Sequence, residues 1–429
     1  METSNLLSEK KFAIYGLGLS GRSVLKFLKK TKVKKISQWD DNNKIKNKIT
    51  FNNFSKTLKE ADYIIVSPGI DIKKSKFKSI LLKRKNKIIT DLDLFFMQKI
   101  KKHKSIVITG TNGKSTTCKL IEHILKKNKK DVFLGGNIGK PILDLNIKKN
   151  SIVVIEASSF QLAYSKLIKP SYAAIINISK DHLDWHQTMT NYKQSKFKIF
   201  INQHKDDYAF LNNRKLISFF KKRKFTSKLK IIKSSSFQVL KKNITNEYLL
   251  SKPNEENVLF AISISSTLGI KKESILKCIN SFKGLPHRHE IFYKKKKVTF
   301  INDSKATSFE STKHALKSNK NIFWIVGGLR KLRDKISLRG LSQNIIKAFI
   351  IGKNLNYFEN QIRNKINYKI SNNLKNATKH IFNELIKSKK NESIVLLSPA
   401  SASYDQFNNF VERGNEFKKL VKKYAKKYF

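Results

Sequence analysis

Two glycine-rich turns constrain the fold of this chain most, because each stands between a short apolar run and a helical pattern. The first is GLGLSG at residues 16–21, and the second is GTNGKST at residues 110–116. A strand, a tight glycine turn and a helix in this order are typical of parallel α/β sheets. The sequence therefore predicts at least two sheet units, each with a glycine turn at the carboxyl end of a strand.

Apolar runs rich in β-forming residues alternate with helical patterns almost throughout the chain. This alternation predicts an α/β fold in three domains. We expect an N-terminal Rossmann-like domain (1–92), a central P-loop ATPase-like domain with a parallel sheet (93–284) and a C-terminal Rossmann-like domain (285–429). Short strands and loops are expected at 213–250, and a helix is expected from about residue 411 to the end.

The chain is strongly basic, with 89 Lys and Arg against 31 Asp and Glu, a formal net charge of +58. Such a charge can indicate a nucleic-acid-binding protein. The basic residues are spread through every segment rather than gathered in one tail or helix. We therefore interpret the charge as the compositional bias of an AT-rich genome, and we expect no specific nucleic-acid partner.

Cysteine content and hydropathy predict a cytoplasmic protein without membrane insertion. The cysteines are Cys118 and Cys278, too few for a disulfide framework. No apolar run reaches about 18 residues, and the first residues lack a basic segment followed by an apolar stretch. We expect a monomer.

The second glycine turn has the residues of a nucleotide-binding P-loop. Gly110 and Gly113 allow the backbone to curl so that its N–H groups point at phosphate oxygens. Lys114 would reach the β- and γ-phosphates, and Ser115 would bind Mg²⁺ at the start of a helix. The strict motif has glycine where this chain has Ile108, so the loop is a variant of the standard one.

The first glycine turn matches the pattern G-x-G-x-x-G on Gly16, Gly18 and Gly21. Asp40 follows about 20 residues later, after a predicted strand, where an acid that binds a ribose is expected. Such a turn can bind any pyrophosphate, including that of a nucleotide sugar, so the motif alone does not establish an NAD site.

Candidate metal ligands follow two further apolar runs. Glu156 ends SIVVIE, where a carboxylate beside a P-loop can bind Mg²⁺ directly or through water. His182 and His186 lie in DHLDWH. His182 stands where a second metal could bind between nucleotide and acceptor, whereas we expect a structural role for His186.

Several motifs, in order and at compatible spacing, resemble the Mur ligases of bacterial cell-wall synthesis. The central motifs are TGTNGKST, GGNIG, EASSFQL and DHLD. GLPHRHE, INDSKATS, VGG and LLSPASASYDQFNNFVERGNEF in the last third are most similar to the Mur ligases that add D-glutamate. The resemblance extends over nearly the whole chain.

The resemblance implies an ATP-dependent ligase of peptidoglycan precursor synthesis. ATP would phosphorylate the carboxylate of UDP-N-acetylmuramoyl-L-alanine, and the amine of D-glutamate would attack the acyl phosphate. Such a transfer needs charge neutralisation by Mg²⁺ and lysine more than it needs a base. Because the active residues would come from three domains, closure around both substrates is expected.

Carried over residue by residue, the resemblance implies four sets of site residues. The catalytic set is Lys114, Glu156, His182, Lys196 and Lys305. The ATP-binding set is Gly110, Thr111, Asn112, Gly113, Lys114, Ser115, Thr116, Asn254, Asn257, Arg288 and Asp303, with His287 also near the nucleotide. The set for the UDP-linked substrate is Gly16, Leu17, Gly18, Ser20, Gly21, Asp40, Ser67 and Asn137. The D-glutamate set is Thr307, Lys331, Ser403 and Phe410.

The resemblance also implies two Mg²⁺ ions, held by Ser115, Glu156, His182 and Lys196. Lys196 would act as a carbamate formed with CO₂, because carbamylation turns the cation into an anion that can approach a metal. Ser401 stands where the family often has cysteine, and we expect little consequence.

Three alternatives remain open. The P-loop alone would also fit another Mur ligase or a folylpolyglutamate-type amide ligase. The charge would fit a P-loop NTPase that binds nucleic acid, although no helix-turn-helix or zinc module is evident. The first glycine turn would fit an NAD dehydrogenase, which leaves the P-loop and the block SPASASYDQF without a role.

Overall fold

The computed structural model describes residues 7–42, 53–98, 103–330, 335–387 and 392–428. The chain divides into two compact units. The first unit is Met1–Leu250 with Asn254–Phe282, and the second is Ser251–Pro253 with Lys283–Phe429. Among the described residues, no helix is both long enough and apolar enough to cross a bilayer.

The first unit contains a four-stranded parallel sheet with the spatial order β2-β1-β3-β4. Its strands are β1 (Lys11–Tyr15), β2 (Lys35–Trp39), β3 (Tyr63–Val66) and β4 (Ile88–Ile89). The accompanying helices are α1 (Leu19–Lys30), α2 (Phe54–Glu60), α3 (Lys78–Lys83) and α4 (Asp91–Met97). The first glycine turn joins β1 to α1, as the sequence predicts.

The same unit contains a six-stranded parallel sheet with the order β10-β9-β8-β5-β7-β6. Its strands are β5 (Lys104–Thr109), β6 (Val132–Gly136), β7 (Ile152–Glu156), β8 (Tyr172–Ile175), β9 (Tyr208–Leu211) and β10 (Lys228–Ile231). The helices are α5 (Lys114–Lys127), α6 (Ser159–Tyr164), α7 (Leu183–His186), α8 (Met189–Phe197), α9 (Arg214–Lys222), α10 (Ser236–Lys241), α11 (Glu247–Leu250), α12 (Glu255–Thr267) and α13 (Lys272–Asn280).

Both faces of this six-stranded sheet are covered by apolar packing. Along β5, Ile106 and Ile108 belong to one core cluster, and Val107 between them belongs to the other. Successive side chains of a strand point to opposite faces, so a run of apolar residues without alternation is what a sheet buried on both faces requires. Ile108 is therefore a buried strand residue, and the P-loop turn begins at Gly110.

The expectation of short strands and loops at 213–250 is wrong for about half of that segment. It contains β10 and the loops that were expected, but also the three helices α9, α10 and α11. In α9, Asn213 caps the first turn, and Leu216 and Phe220 are buried at a spacing of one helical turn. Because lysines and an arginine flank these two residues, the apolar face of the helix is not evident from the sequence.

The second unit contains a six-stranded sheet with the order β11-β12-β16-β13-β14-β15. Its strands are β11 (Glu290–Lys295), β12 (Val298–Asn302), β13 (Ile322–Gly327), β14 (Ile345–Ile351), β15 (Tyr368–Asn372) and β16 (Ser393–Leu397). The helices are α14 (Phe309–Lys317), α15 (Leu355–Ile362), α16 (Leu374–Lys387) and α17 (Phe410–Tyr428). The edge strand β11 is antiparallel to β12, and the other neighbouring strands are parallel.

Candidate active site

The P-loop lies at the carboxyl end of β5, and its shape depends on Gly113. Gly113 has φ +82°, and a Cβ built on it would lie 2.0 Å from Asn257 Oδ1. Only glycine meets both conditions, because a side chain is strained at this φ and has no space. The close approach brings the start of α12 against the turn that precedes α5.

Lys114 folds back over the P-loop in this structure. Its ammonium donates hydrogen bonds to the carbonyl oxygens of Gly110 (2.9 Å) and Thr111 (2.8 Å). An ammonium at the N-terminus of a helix is suited to bind phosphate oxygens.

Ser115 and Glu156 form the candidate site for a metal ion. Ser115 Oγ donates to Glu156 Oε2 (2.6 Å), and Asn137 Nδ2 donates to Glu156 Oε1 (2.7 Å). Glu156 is 2% exposed. β7 pairs with β5 so that Glu156 lies opposite Ile108, which carries the acid to the P-loop edge of the sheet. A hydroxyl and a buried carboxylate are hard oxygen donors, so these residues fit Mg²⁺.

A chain of amides supports the P-loop from α12 and β8. Thr117 Oγ1 donates to Asn257 Oδ1 (3.2 Å), and Asn257 Nδ2 donates to Asn254 Oδ1 (2.8 Å). The backbone N–H of Asn112 donates to Asn177 Oδ1 (2.9 Å). Sequence reasoning selected Asn254 and Asn257 but missed Asn177, whose only signal is its position directly after the apolar run YAAII.

Lys196 lies beneath the same loop. It is 1% exposed, and its ammonium donates to Gly110 O (2.8 Å) and lies 4.6 Å from the centre of the Tyr192 ring. Burial, followed by the charge of Lys114, holds the pKa of the Lys196 amine well below its ordinary value. The structure thus brings Lys196 to the P-loop, although nothing local distinguishes it from Lys193, the other lysine of α8.

Tyr192 is a site residue that sequence reasoning missed. Its buried hydroxyl forms a hydrogen bond with Thr111 Oγ1 (3.0 Å). Tyr192 and Lys196 are four residues apart on α8, so both project from one face of the helix toward the P-loop. The four-residue spacing from Lys196 was the sequence feature that could have identified Tyr192.

His182 and His186 have different surroundings. His182 has φ +53°, lies 3.3 Å from Asp181 Oδ2 through its Nε2, and has its ring 4.7 Å from that of Phe160. His186 is buried, with its Nε2 3.0 Å from Ser159 Oγ, and burial lowers its pKa to about 4. His186 is therefore neutral at pH 7. In the described part of the chain, no group of three or more His, Cys, Asp or Glu residues could hold a metal ion.

The glycine turn of the first sheet is held by Asp40 and Ser67. Leu17 N–H donates to Asp40 Oδ2 (2.6 Å), and Ser67 Oγ donates to Gly16 O (2.8 Å). A Cβ on Gly21 would lie 1.9 Å from Gly16 O, whereas one on Gly18 would have nothing within 4 Å. Packing therefore requires glycine at 21 but not at 18. The carboxylate of Asp40 anchors the turn itself.

In the second unit, the segments HRHE and NDSK are bonded to each other. Asp303 Oδ1 accepts the His289 N–H (3.0 Å), and its Oδ2 accepts the Ser398 hydroxyl (2.7 Å). Burial raises the pKa of Asp303 to about 7, opposed by these bonds and by the charge of Arg288. His287 Nδ1 lies 2.9 Å from Asn302 Nδ2.

Of the predicted D-glutamate residues, Thr307 and Ser403 lie on loops, and Phe410 is the first residue of α17. The Lys305 ammonium lies 3.8 Å from the centre of the Phe410 ring, a cation–π contact. Ser403 is buried, and Thr307 is partly buried. Lys331 lies outside the described residues.

Comparison with known proteins gives relatives that cover nearly the whole chain. The sequence model of the Mur ligase middle domain matches residues 108–271. The UDP-N-acetylmuramoylalanine–D-glutamate ligase of Rickettsia felis is 33% identical, covering 98% of this chain and 99% of the relative. The ligase of the same name from Aquifex aeolicus is 36% identical, covering 96% and 98%.

Solved structures of other ligases support the fold. The UDP-N-acetylmuramate–alanine ligase of Thermotoga maritima superposes with a TM-score of 0.59 at 17% identity, covering 98% of this chain and 100% of that chain. The MurF ligase of the same organism, solved in complex with ADP, gives 0.60 at 15% identity, covering 98% and 97%. The predicted α/β fold with parallel sheets is confirmed.

Proposed function

The chain belongs to the Mur ligase family, and on this basis we propose that it uses ATP to join D-glutamate to UDP-N-acetylmuramoyl-L-alanine. It is an ATP-dependent ligase of peptidoglycan precursor synthesis. The observation that carries the choice of amino acid is the relation, over nearly the full length, to curated ligases whose names specify D-glutamate.

We propose that the P-loop binds the phosphates of ATP and that Ser115 and Glu156 hold Mg²⁺. The bound ion would neutralise charge on the phosphates during transfer. The buried Ser115–Glu156 pair supports this assignment, because its oxygens suit a hard cation. Lys114 would leave the Gly110 and Thr111 carbonyls to bind the transferred phosphoryl group.

We propose that Lys196 is carbamylated. Its low pKa favours the neutral amine, which is the form that attacks CO₂ to give a carbamate and one proton. Carbamylation would also replace a buried cation beside Lys114 by an anion. As a carbamate, Lys196 would serve with His182 as a ligand of a second Mg²⁺.

Substrate binding is divided between the two remaining sets of residues. The first glycine turn, with Asp40 and Ser67, would bind the UDP moiety, and Asn137 would contact the reacting end of the same substrate. Thr307, Lys331, Ser403 and Phe410 would bind D-glutamate, and Lys305 would face the reacting centre and the incoming amino acid. A lysine suits a side-chain carboxylate as a point charge.

The alanine carboxylate must be activated before the amide can form, because a carboxylate is a weak electrophile. Transfer of the γ-phosphoryl group to the alanine carboxylate releases ADP and gives an acyl phosphate. The D-glutamate amine attacks the acyl carbon, a tetrahedral intermediate forms, and phosphate leaves as the amide forms and the amine loses a proton. Exclusion of water protects the acyl phosphate from hydrolysis.

Release of ADP across a panel of amino acids tests the proposed function. With ATP, Mg²⁺ and UDP-N-acetylmuramoyl-L-alanine, we expect ADP only when D-glutamate is added. L-glutamate, L-alanine and meso-diaminopimelate serve as controls. Equal ADP release with any of these, or with a folate acceptor, would contradict the proposal.

We further propose that the protein works in the cytoplasm, because ATP and UDP-linked substrates are available there, and that it is a monomer. Sedimentation velocity at micromolar concentration should give a single species near the chain mass of 49.6 kDa.

A further inference from the structure

Arg413 is a buried cation in the first turn of α17. It is 1% exposed and is among the largest fully buried side chains of the protein. Arginine is rarely buried without a partner, because removing a charge from water costs free energy that only good hydrogen bonds offset. Its burial therefore calls for a structural or functional explanation.

The guanidinium of Arg413 makes three hydrogen bonds, all to neutral oxygens. Nε donates to Ser304 Oγ (3.0 Å), and Nη2 donates to Ser304 O (2.9 Å) and to Ser401 O (3.1 Å). Burial lowers the pKa of Arg413 to about 10, opposed by the charge of Asp405. The side chain thus remains protonated at pH 7 and can keep all three bonds.

Ser304 connects Arg413 to two of the proposed D-glutamate segments. It lies between Asp303 and Lys305 in the loop after β12, and its hydroxyl donates to Phe410 O (2.8 Å). The two bonds from Arg413 hold both the hydroxyl and the carbonyl of Ser304. Ser304 therefore fixes the position of Lys305 relative to Phe410.

Ser401 connects Arg413 to the loop that follows β13. Its hydroxyl donates to Gly327 O (2.5 Å), and the next residue, Ala402, pairs with Leu329 through two backbone hydrogen bonds. A Cβ on Gly328 would lie 2.4 Å from Ser401 Oγ, so the two loops are in close contact. Ser403 belongs to the same segment.

We propose that Arg413 is a positioning residue for D-glutamate, which holds the 304–307 loop, the 401–403 loop and the start of α17 in one arrangement. The inference rests on the proposed function. Arg413 does not contact the substrate, because it is covered by the loops that it bonds. It acts through the side chains that those loops carry.

Lysine cannot replace Arg413 in this role. A guanidinium is a planar fork whose donors point in fixed directions, so Nε and Nη2 can bond two loops at once. A lysine ammonium keeps the charge but concentrates its donors at one point. Arg413→Lys therefore tests the geometry of the fork separately from its charge.

Steady-state kinetics of full-length Arg413→Lys test the inference. We expect the KM for D-glutamate to rise about tenfold, which corresponds to the loss of one charge-assisted hydrogen bond. The KM for the UDP-linked substrate, whose proposed residues lie in the first unit, should stay within about twofold. Arg363→Lys is the matched control, because Arg363 is an exposed arginine of the same unit.

A thermal melt of each variant separates positioning from stability. If Arg413→Lys does not fold, Ser304→Ala takes its place, because it removes the hydroxyl between Arg413 and Phe410 while keeping the buried charge. An unchanged KM for D-glutamate in the folded variant, or equal changes in both KM values, overturns the inference alone. Absence of D-glutamate-dependent ADP release by the wild type overturns the proposed function as well.

Discussion

At the scale of single residues, two glycines of the first turn differ in whether the packing of the fold requires them. Gly21 is required by packing, since its Cβ would lie 1.9 Å from Gly16 O. Gly18 has open space around its Cα and φ −64°, a value any residue adopts. The fold itself does not explain glycine at 18, whereas close approach of a pyrophosphate would.

Alanine substitutions at these two glycines should affect different properties, stability at Gly21 and substrate binding at Gly18. Gly21→Ala should destabilise the protein by about 1–3 kcal/mol, because the added methyl group overpacks the turn. Gly18→Ala should leave the melting temperature unchanged and raise the KM for the UDP-linked substrate. Thermal melts and kinetics of both variants check this. A wild-type KM for Gly18→Ala would contradict a ligand role for the turn.

At the scale of elements, helix α8 holds the P-loop from below. Tyr192 bonds Thr111 and Lys196 bonds Gly110, so one helical face contacts two residues of the turn. The two side chains come from four residues apart on α8, while their partners lie more than 80 residues earlier in the chain. The helix thereby places a buried amine beneath the proposed phosphate site.

Removal of the Lys196 side chain should abolish most activity. We expect the rate of Lys196→Ala to fall about 100-fold or more, as for the loss of a group that stabilises transferred charge. A short carboxylic acid such as acetate should restore part of the rate by supplying the missing anion. Lys193→Ala is the control, because Lys193 lies one turn earlier on α8 with its ammonium against the Phe219 ring.

The rate of Lys196→Ala and its rescue by carboxylic acids test two separate claims, that Lys196 acts in the mechanism and that it is carbamylated. An unchanged rate for Lys196→Ala would remove the residue from the mechanism. A loss of activity with no rescue by carboxylic acids would argue against the carbamate.

At the scale of the whole molecule, buried ionisable groups make stability depend on pH. Asp303 is buried, and burial raises its pKa from 3.8 to about 7. The folded state therefore binds this proton more tightly than the unfolded state. It follows that the free energy of unfolding falls as pH rises from about 4 to about 7, by up to about 1.4 kcal/mol per pH unit for this group.

Asp303→Asn should remove the part of the pH dependence of the free energy of unfolding that comes from Asp303. Asparagine is isosteric, can accept the His289 N–H and can donate to Ser398 Oγ, whose own hydroxyl can donate to Thr312 Oγ1. Melting temperatures between pH 4 and 8 check the expectation, with the exposed Asp206→Asn as control. Parallel curves for the wild type and Asp303→Asn would show that Asp303 is ionised throughout.

The sequence alone determined the features that depend on neighbours along the chain. Glycine turns between apolar runs and helical patterns located β1 with α1 and β5 with α5. Lys114 and Ser115 follow the turn directly, so their place at the start of α5 was also predictable. Alternation of patterns gave the α/β class with parallel sheets. Helix α9 escaped prediction because basic residues flank the two apolar residues that it buries.

Only the tertiary structure decided which distant residues meet. Lys196 reaches Gly110 across 86 residues, and Arg413 reaches Ser304 across 109. In a chain with 89 lysines and arginines, the local sequence around these two residues resembles many others. Their burial depends on the order of the strands and on how the helices pack over them. Long-range packing therefore decided which cationic side chains are buried. The local geometry of the glycine turns depends instead on residues that are neighbours in the sequence.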